Sequence, residues 1–293
     1  MPAREHAVEV SGGRTLRVLE DGDPAGVPCI VHHGTPGSRL LPSWWVDDAA
    51  ERGIRLIGFD RAGYGGSDPR PGRRVADVAE DVAALADALG VERFVTHGGS
   101  GGGPHSLACA ALLEDRVAAA ATLAGVAPWR AEGLEWLAGM GEDNVREFGA
   151  ALEGREGLAA QVEEIAAEML QGTPEALVSA MRTLLSPPDL AVFTGRLAEE
   201  AVQDTREAIS KRRDGWVDDD LAFTRPWGFE LADIAVPVLL WHGRQDRFVP
   251  PAHGEWLAGQ IPGVDARISD EDGHVTLAVT RIGDVHAWLL ERY

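Results

Sequence analysis

Apolar residues in the first part of the chain fall into short runs separated by polar, glycine-marked turns. Val8-Glu9-Val10 and Leu16-Arg17-Val18-Leu19 flank Ser11-Gly12-Gly13, a pattern that predicts an opening β-hairpin. Cys29 to His32, Arg55 to Phe59 and Arg93 to Thr96 are short β-rich runs, each ending in a turn punctuated by Gly or Asp. Between them, Val75, Val78, Val82, Leu85, Ala86 and Leu89 fall on one stripe at helical spacing, and Gly90 ends it. Strand, helix and strand in repetition predict crossover units and a mostly parallel sheet.

The rhythm changes after Ala127-Pro128. From about Trp129 to about Gly228 the patterning is helical with no convincing strand, and Pro174, Pro187-Pro188 and Gly215 divide it into several helices. The β/α alternation then resumes. Val236 to Trp241 reads as a buried strand, Pro250 to Ile261 as a helix, Ala266 to Ile268 as a short strand, and His274 to Leu290 as one closing helix. The reading is one α/β core, residues 1–128 and 229–293, interrupted by an all-helical cap at 129–228.

Composition narrows what this fold could serve. With 27 Lys+Arg against 47 Asp+Glu the formal charge is −20, which argues against nucleic acid or an anionic membrane as partner. The N-terminal stretch lacks an apolar segment of the signal-peptide kind, and Val117 to Ala127, the longest nearly apolar run, is too short to span a bilayer, so a soluble cytoplasmic protein is expected. Lys211 is the one lysine and Arg212 follows it, which excludes a phosphate loop of the Gly-Lys-Ser/Thr kind. Cys29 and Cys109 sit in apolar sequence and read as small buried hydrophobes. There is neither a His-Glu-x-x-His motif nor a cysteine pair, so no metal and no cofactor is expected.

The strongest chemical signal is Gly98-Gly99-Ser100-Gly101-Gly102, a Gly-x-Ser-x-Gly match between the predicted Arg93–Thr96 strand and a helix from about Gly101 to Leu113. A nucleophile on a strained strand-to-helix turn needs glycines two positions either side, because no side chain fits against the neighbouring backbone. The rival reading, a dinucleotide-binding Gly-x-Gly-x-x-Gly from Gly99, fails because its sixth residue is Pro104.

On these residues the chain resembles the α/β-hydrolase superfamily, and other motifs extend the resemblance. His33-Gly34-Thr35-Pro36-Gly37 is similar to the family's oxyanion loop, which implies backbone amides of Thr35 and Gly101 as the oxyanion donors. Asp60-Arg61-Ala62-Gly63-Tyr64-Gly65-Gly66-Ser67 resembles a structural loop that follows the fourth strand. Gly243-Arg244-Gln245-Asp246 and Gly273-His274 stand where the family carries its acid and base, so the resemblance implies a Ser100, Asp246, His274 triad in the expected chain order. It also implies an eight-stranded, mostly parallel sheet flanked by helices, with the cap inserted after strand 6. Of the 9 histidines, His32 and His97 are expected to pack near the site, His105 to point away from it, and His253 and His286 to lie at the surface.

The expected activity is hydrolysis of a carboxylic ester or lactone, with a small, neutral, partly apolar molecule as substrate. Trp129, Gly99 and Trp136 are the expected pocket residues, Trp129 because it directly follows a strand ending near the site. A proline iminopeptidase-like amide hydrolase is the nearest rival, although Thr35 departs from the His-Gly-Gly-Pro-Gly those relatives usually carry. A carbon–carbon bond hydrolase and a non-catalytic small-molecule receptor on the same fold are further alternatives, and a homodimer is compatible with all of them. Residues 129–228 carry 10 basic and 20 acidic side chains, half of the net negative charge in about a third of the chain. Polyanionic ligands would therefore approach against the field, and neutral or cationic ones would not.

Overall fold

The computed structural model describes residues 3–293. Eight strands, β1 (Arg4–Val10), β2 (Arg14–Gly22), β3 (Val27–His32), β4 (Ile54–Phe59), β5 (Phe94–Gly99), β6 (Val117–Leu123), β7 (Val238–Gly243) and β8 (Asp265–Ser269), form one sheet. Their order is β1-β2-β4-β3-β5-β6-β7-β8. The β1–β2 hairpin and the β2–β4 pairing are antiparallel, and every pairing from β4 to β8 is parallel.

Helices cover both faces of the parallel part, so its strands are apolar on both sides rather than alternating with polar residues. Ile30, Ile57, Phe94 and Leu240 face one core with Val82, Leu85 and Leu107, while their neighbours Cys29, Leu56, Val95 and Leu239 face the other with Trp45, Val285 and Leu289. The covering helices are α1 (Ser43–Arg52), α2 (Val78–Ala88) and α3 (Gly102–Leu112) before β6, then α10 (Pro251–Gln260), α11 (His274–Thr280) and α12 (Ile282–Leu290) after β7.

Six further helices lie between β6 and β7: α4 (Glu142–Glu153), α5 (Arg155–Met169), α6 (Pro174–Ala180), α7 (Pro187–Val192), α8 (Gly195–Ile209) and α9 (Asp214–Phe223). They share their own apolar cluster, with Leu158, Val162, Leu177, Ile209, Trp216 and Leu221 buried in it. Among the described residues no helix is long and apolar enough to cross a membrane.

Two sequence expectations need correction. The closing helix is broken at Arg281 into α11 and α12. Asp272 draws the break inward, accepting from the Thr280 hydroxyl at 3.2 Å and from Arg281 Nε at 2.8 Å. His253 and His286 are buried, not superficial. His253 Nδ1 accepts from the Ala127 amide at 3.1 Å and its Nε2–H donates to the Trp136 carbonyl at 2.8 Å, which ties α10 to the chain leaving β6. His286 is 2.7 Å from Asp48 of α1. Each histidine found a polar partner inside, where helix periodicity alone suggests solvent.

Candidate active site

Ser100 occupies the turn between β5 and α3 at φ +55°, a left-handed conformation rare for a residue with a side chain. Its amide donates to the Leu123 carbonyl at 2.8 Å, and the Gly103 amide donates to its carbonyl at 2.9 Å. A methyl group on Gly98 would overlap the Gly102 carbonyl, and one on Gly102 would overlap the backbone at His32 and His33. The two glycines are thus what lets so tight a turn seat Ser100 between the end of β5 and the start of α3.

His274 begins α11 and borders the same cavity as Ser100. Its Nδ1–H donates to Asp246 Oδ2 at 2.7 Å, which leaves Nε2 as the free ring nitrogen. Asp246 is itself oriented, because its Oδ1 accepts from the Phe248 and Val249 amides at 2.8 and 2.9 Å. The Phe248 ring stacks on the imidazole with centroids 4.5 Å apart. Burial would push the His274 imidazole down, but the Asp246 carboxylate more than offsets it and Asp189 adds to the effect, so it titrates above the ordinary value. A base must be neutral to accept a proton. The acid limb of a kcat/KM profile is therefore expected to have its midpoint above about 6.5, activity falling as pH falls through it, and a midpoint below 6 would contradict this placement.

Asp189 is a residue that the sequence reading missed. It lies on α7 and is fully buried. Its Oδ1 accepts from the Val275 and Thr276 amides at 2.8 and 2.9 Å, and its Oδ2 accepts from the His274 amide at 3.1 Å and the Ser186 hydroxyl at 2.7 Å. One carboxylate thus caps the helix that carries His274 and closes the start of its own. The Ser186-Pro187-Pro188-Asp189 spacing is legible as a capping box for α7, but nothing local announces partners more than eighty residues away.

The loop 33–37 stands against Ser100 and Gly101. A Cβ built on Gly101 would come within 2.8 Å of Thr35 Cβ, and one on Gly34 within 3.7 Å of Ser100 Cβ. Among the described residues no protein acceptor takes the Thr35 or the Gly101 amide proton. Arg61 holds the loop from beneath: its guanidinium donates to the His33 carbonyl, to the Gly34 carbonyl at 2.9 Å and to the Thr35 hydroxyl at 3.2 Å. Its backbone amide donates to His33 Nε2 at 3.1 Å, so His33 Nδ1–H donates to the Gly34 carbonyl at 2.7 Å. Burial, and then the Arg61 charge, keep His33 well below its ordinary range and neutral.

Asp219 of α9 completes this support. It is fully buried and accepts from Arg61 at 2.6 Å, the Thr35 hydroxyl at 2.8 Å and the Tyr64 hydroxyl at 2.8 Å, with Arg73 2.6 Å from its other oxygen. Burial alone would raise its carboxyl; Arg61 and Arg73 together hold it well below the ordinary carboxylate range.

The cavity has two lobes that meet at Gly34, Ser100 and His274. One, about 460 Å³, includes His33, Gly99, Trp44 and Trp45 in its wall; the other, about 270 Å³, includes Thr35, Gly101, Phe148, Met169 and Phe223. Trp129 and Trp136 line neither, which corrects two of the expected pocket positions. Trp136 is 4% exposed, donates to the Ala127 carbonyl at 2.7 Å and lies edge-on to Phe148. Trp129 borders a separate groove with Trp227 and Trp256. The chain leaving β6 turns over α10, anchored by His253, and carries both rings away from Ser100. His105 likewise faces away, its Nδ1 2.7 Å from the Gly101 carbonyl, while His32 and His97 pack on Phe59 and Trp45.

The family whose description is alpha/beta hydrolase fold has a sequence model that matches residues 27–279. The chain belongs to this family. Among alpha/beta hydrolases it is similar to a putative carbamate hydrolase of Azorhizobium caulinodans, 30% identical over 268 residues, which cover 87% of each chain. It is also similar to a probable proline iminopeptidase of Leptolyngbya boryana, 31% identical over 120 residues. That match covers 39% of this chain and little more than a third, 36%, of the relative; a match to an epoxide hydrolase of Mycobacterium tuberculosis covers 40% of that relative. Among solved structures, the esterase RhEst1 from a Rhodococcus species superposes with a TM-score of 0.69 at 25% identity over the full length of both chains.

Proposed function

We propose that this alpha/beta hydrolase is a serine hydrolase of carboxylic esters or lactones. The observation that carries the reading is the placement of Ser100, at positive φ on its turn, in the same cavity wall as His274, whose Nδ1 is bound to Asp246. In this reading His274 Nε2 takes the proton from Ser100 Oγ as it attacks the acyl carbonyl. The Thr35 and Gly101 amides receive the oxyanion, and Asp246 stabilises the imidazolium. His274 then protonates the departing alcohol, and a water deprotonated by the same nitrogen releases the acid. The largely apolar walls of both lobes favour a small organic substrate over a polymer.

Fluorophosphonate labelling tests the nucleophile. Wild-type protein should become labelled and Ser100→Ala should not. An unlabelled but folded wild type would remove the activated serine, and equal labelling of Ser100→Ala would assign the nucleophile elsewhere.

A further inference from the structure

Carboxylates line both lobes: Glu200 and Asp204 in the larger, Asp143, Glu147, Asp204 and Asp220 in the smaller. Among the described residues neither lobe has a lysine or arginine in its wall. Three of these acids are occupied by nearby donors. Asp143 accepts from Thr183 and Arg146, Glu200 from the Ser43 amide and Arg196, and Asp204 from the amide and hydroxyl of Ser38.

Glu147 of α4 and Asp220 of α9 differ from the rest. Glu147 accepts from Trp216 Nε1 at 2.6 Å and otherwise meets the Asp220 carboxyl. Asp220 is 1% exposed, and among the described residues its only polar partner is the Glu147 carboxyl, with no amide, hydroxyl or cationic donor on either oxygen. The two carboxyls face each other, and burial followed by mutual repulsion pushes Asp220 well up, with Glu147 raised as well by its burial. Such a pair holds one proton between its members and keeps one negative charge. Asp143 adds repulsion on the Glu147 side and Asp219 on the Asp220 side. Arg73 is the cation whose charge acts on Asp220, and Asp219 already engages it at 2.6 Å. A buried anion left without a cation is costly, and this one borders the cavity that holds Ser100 and His274.

We propose that Glu147 and Asp220 form the subsite for an ammonium group of the substrate, so that the preferred esters carry an amine that reaches into the smaller lobe. The inference rests on the hydrolase reading above and replaces the neutral substrate suggested by the sequence with a cationic one. One ammonium offers three donors and one positive charge, which match the lone pairs left over from the shared proton and the Trp216 bond and the single negative charge of the pair. Phe148, Met169 and Phe223 supply apolar wall for the carbon skeleton between the amine and the carbonyl.

The test uses two isosteric ester pairs followed by pH-stat near neutral pH: L-leucine methyl ester with methyl 2,4-dimethylpentanoate, and 3-aminopropyl butyrate with butyl butyrate. They place the amine on the acyl and the alcohol side respectively. In at least one pair the aminated ester should be favoured in kcat/KM by about tenfold or more, mostly through KM. Asp220→Asn and Glu147→Gln, each confirmed as folded by its melting transition, should bring that ratio to within about threefold of unity. A wild-type ratio near one in both pairs, or a preference that survives in both variants, overturns the subsite. If no ester is turned over and the protein takes no fluorophosphonate label, the hydrolase reading fails instead. Calorimetry of the same pairs then decides the subsite: tighter binding of the aminated member supports it, and equal affinity removes it.

Discussion

Replacement of His274 by alanine is expected to lower ester turnover by roughly ten-thousandfold or more, with KM changed far less. The size follows from how many steps the imidazole would serve in the proposed mechanism: taking the Ser100 proton, returning it to the leaving group and activating the water. With its free Nε2 and the 2.7 Å bond from Nδ1 to Asp246, His274 has access no other histidine matches: His33 is engaged at both ring nitrogens, and His32, His97 and His105 are buried. The measurement is steady-state kinetics on a chromogenic ester with active-site titration by fluorophosphonate. A merely twofold fall in turnover would remove His274 from the base role.

The largest loss of stability is expected from Asp219→Ala. It leaves the buried guanidiniums of Arg61 and Arg73 without their shared anion, and breaking a buried pair in this way costs about 3–5 kcal/mol. The same change strips an acceptor from the Thr35 and Tyr64 hydroxyls, so activity should fall with stability. Because the Asp219 carboxyl is held well below its ordinary value, its contribution is present at neutral pH and is lost as pH falls through the depressed folded-state value. Urea denaturation of wild type, Asp219→Asn and Asp219→Ala measures this. A loss under about 1 kcal/mol for the alanine variant would mean that water reaches the two arginines and that the network contributes little.

The frame and the motif positions were legible because they are written locally. The β1–β2 hairpin announces itself by alternation around Gly12-Gly13, and the nucleophile turn by glycines that no other residue can replace. Asp246 and His274 follow recognisable strand ends, and the structure joins them directly. What sequence could not carry is direction and distant partnership. Trp129 and Trp136 follow β6 as expected, but where their rings point depends on His253 more than a hundred residues later. Asp218-Asp219-Asp220 are three like charges in succession, and all three are buried, each with a different neighbour: Arg155 for the first, Arg61 and Arg73 for the second, Glu147 for the third. Fold-level burial of a charge is decided by partners, and partners lie outside any local window.

The bonds of Asp189 have a consequence for how the molecule breathes. The amide protons of His274, Val275 and Thr276 end on a carboxylate that belongs to α7, so they can exchange with solvent only when α7 and α11 part. Any excursion that lifts α7 also frees the first turn of the helix that bears His274. The position of α7 and the order of that turn thus share one opening equilibrium, and three backbone protons serve as its reporter.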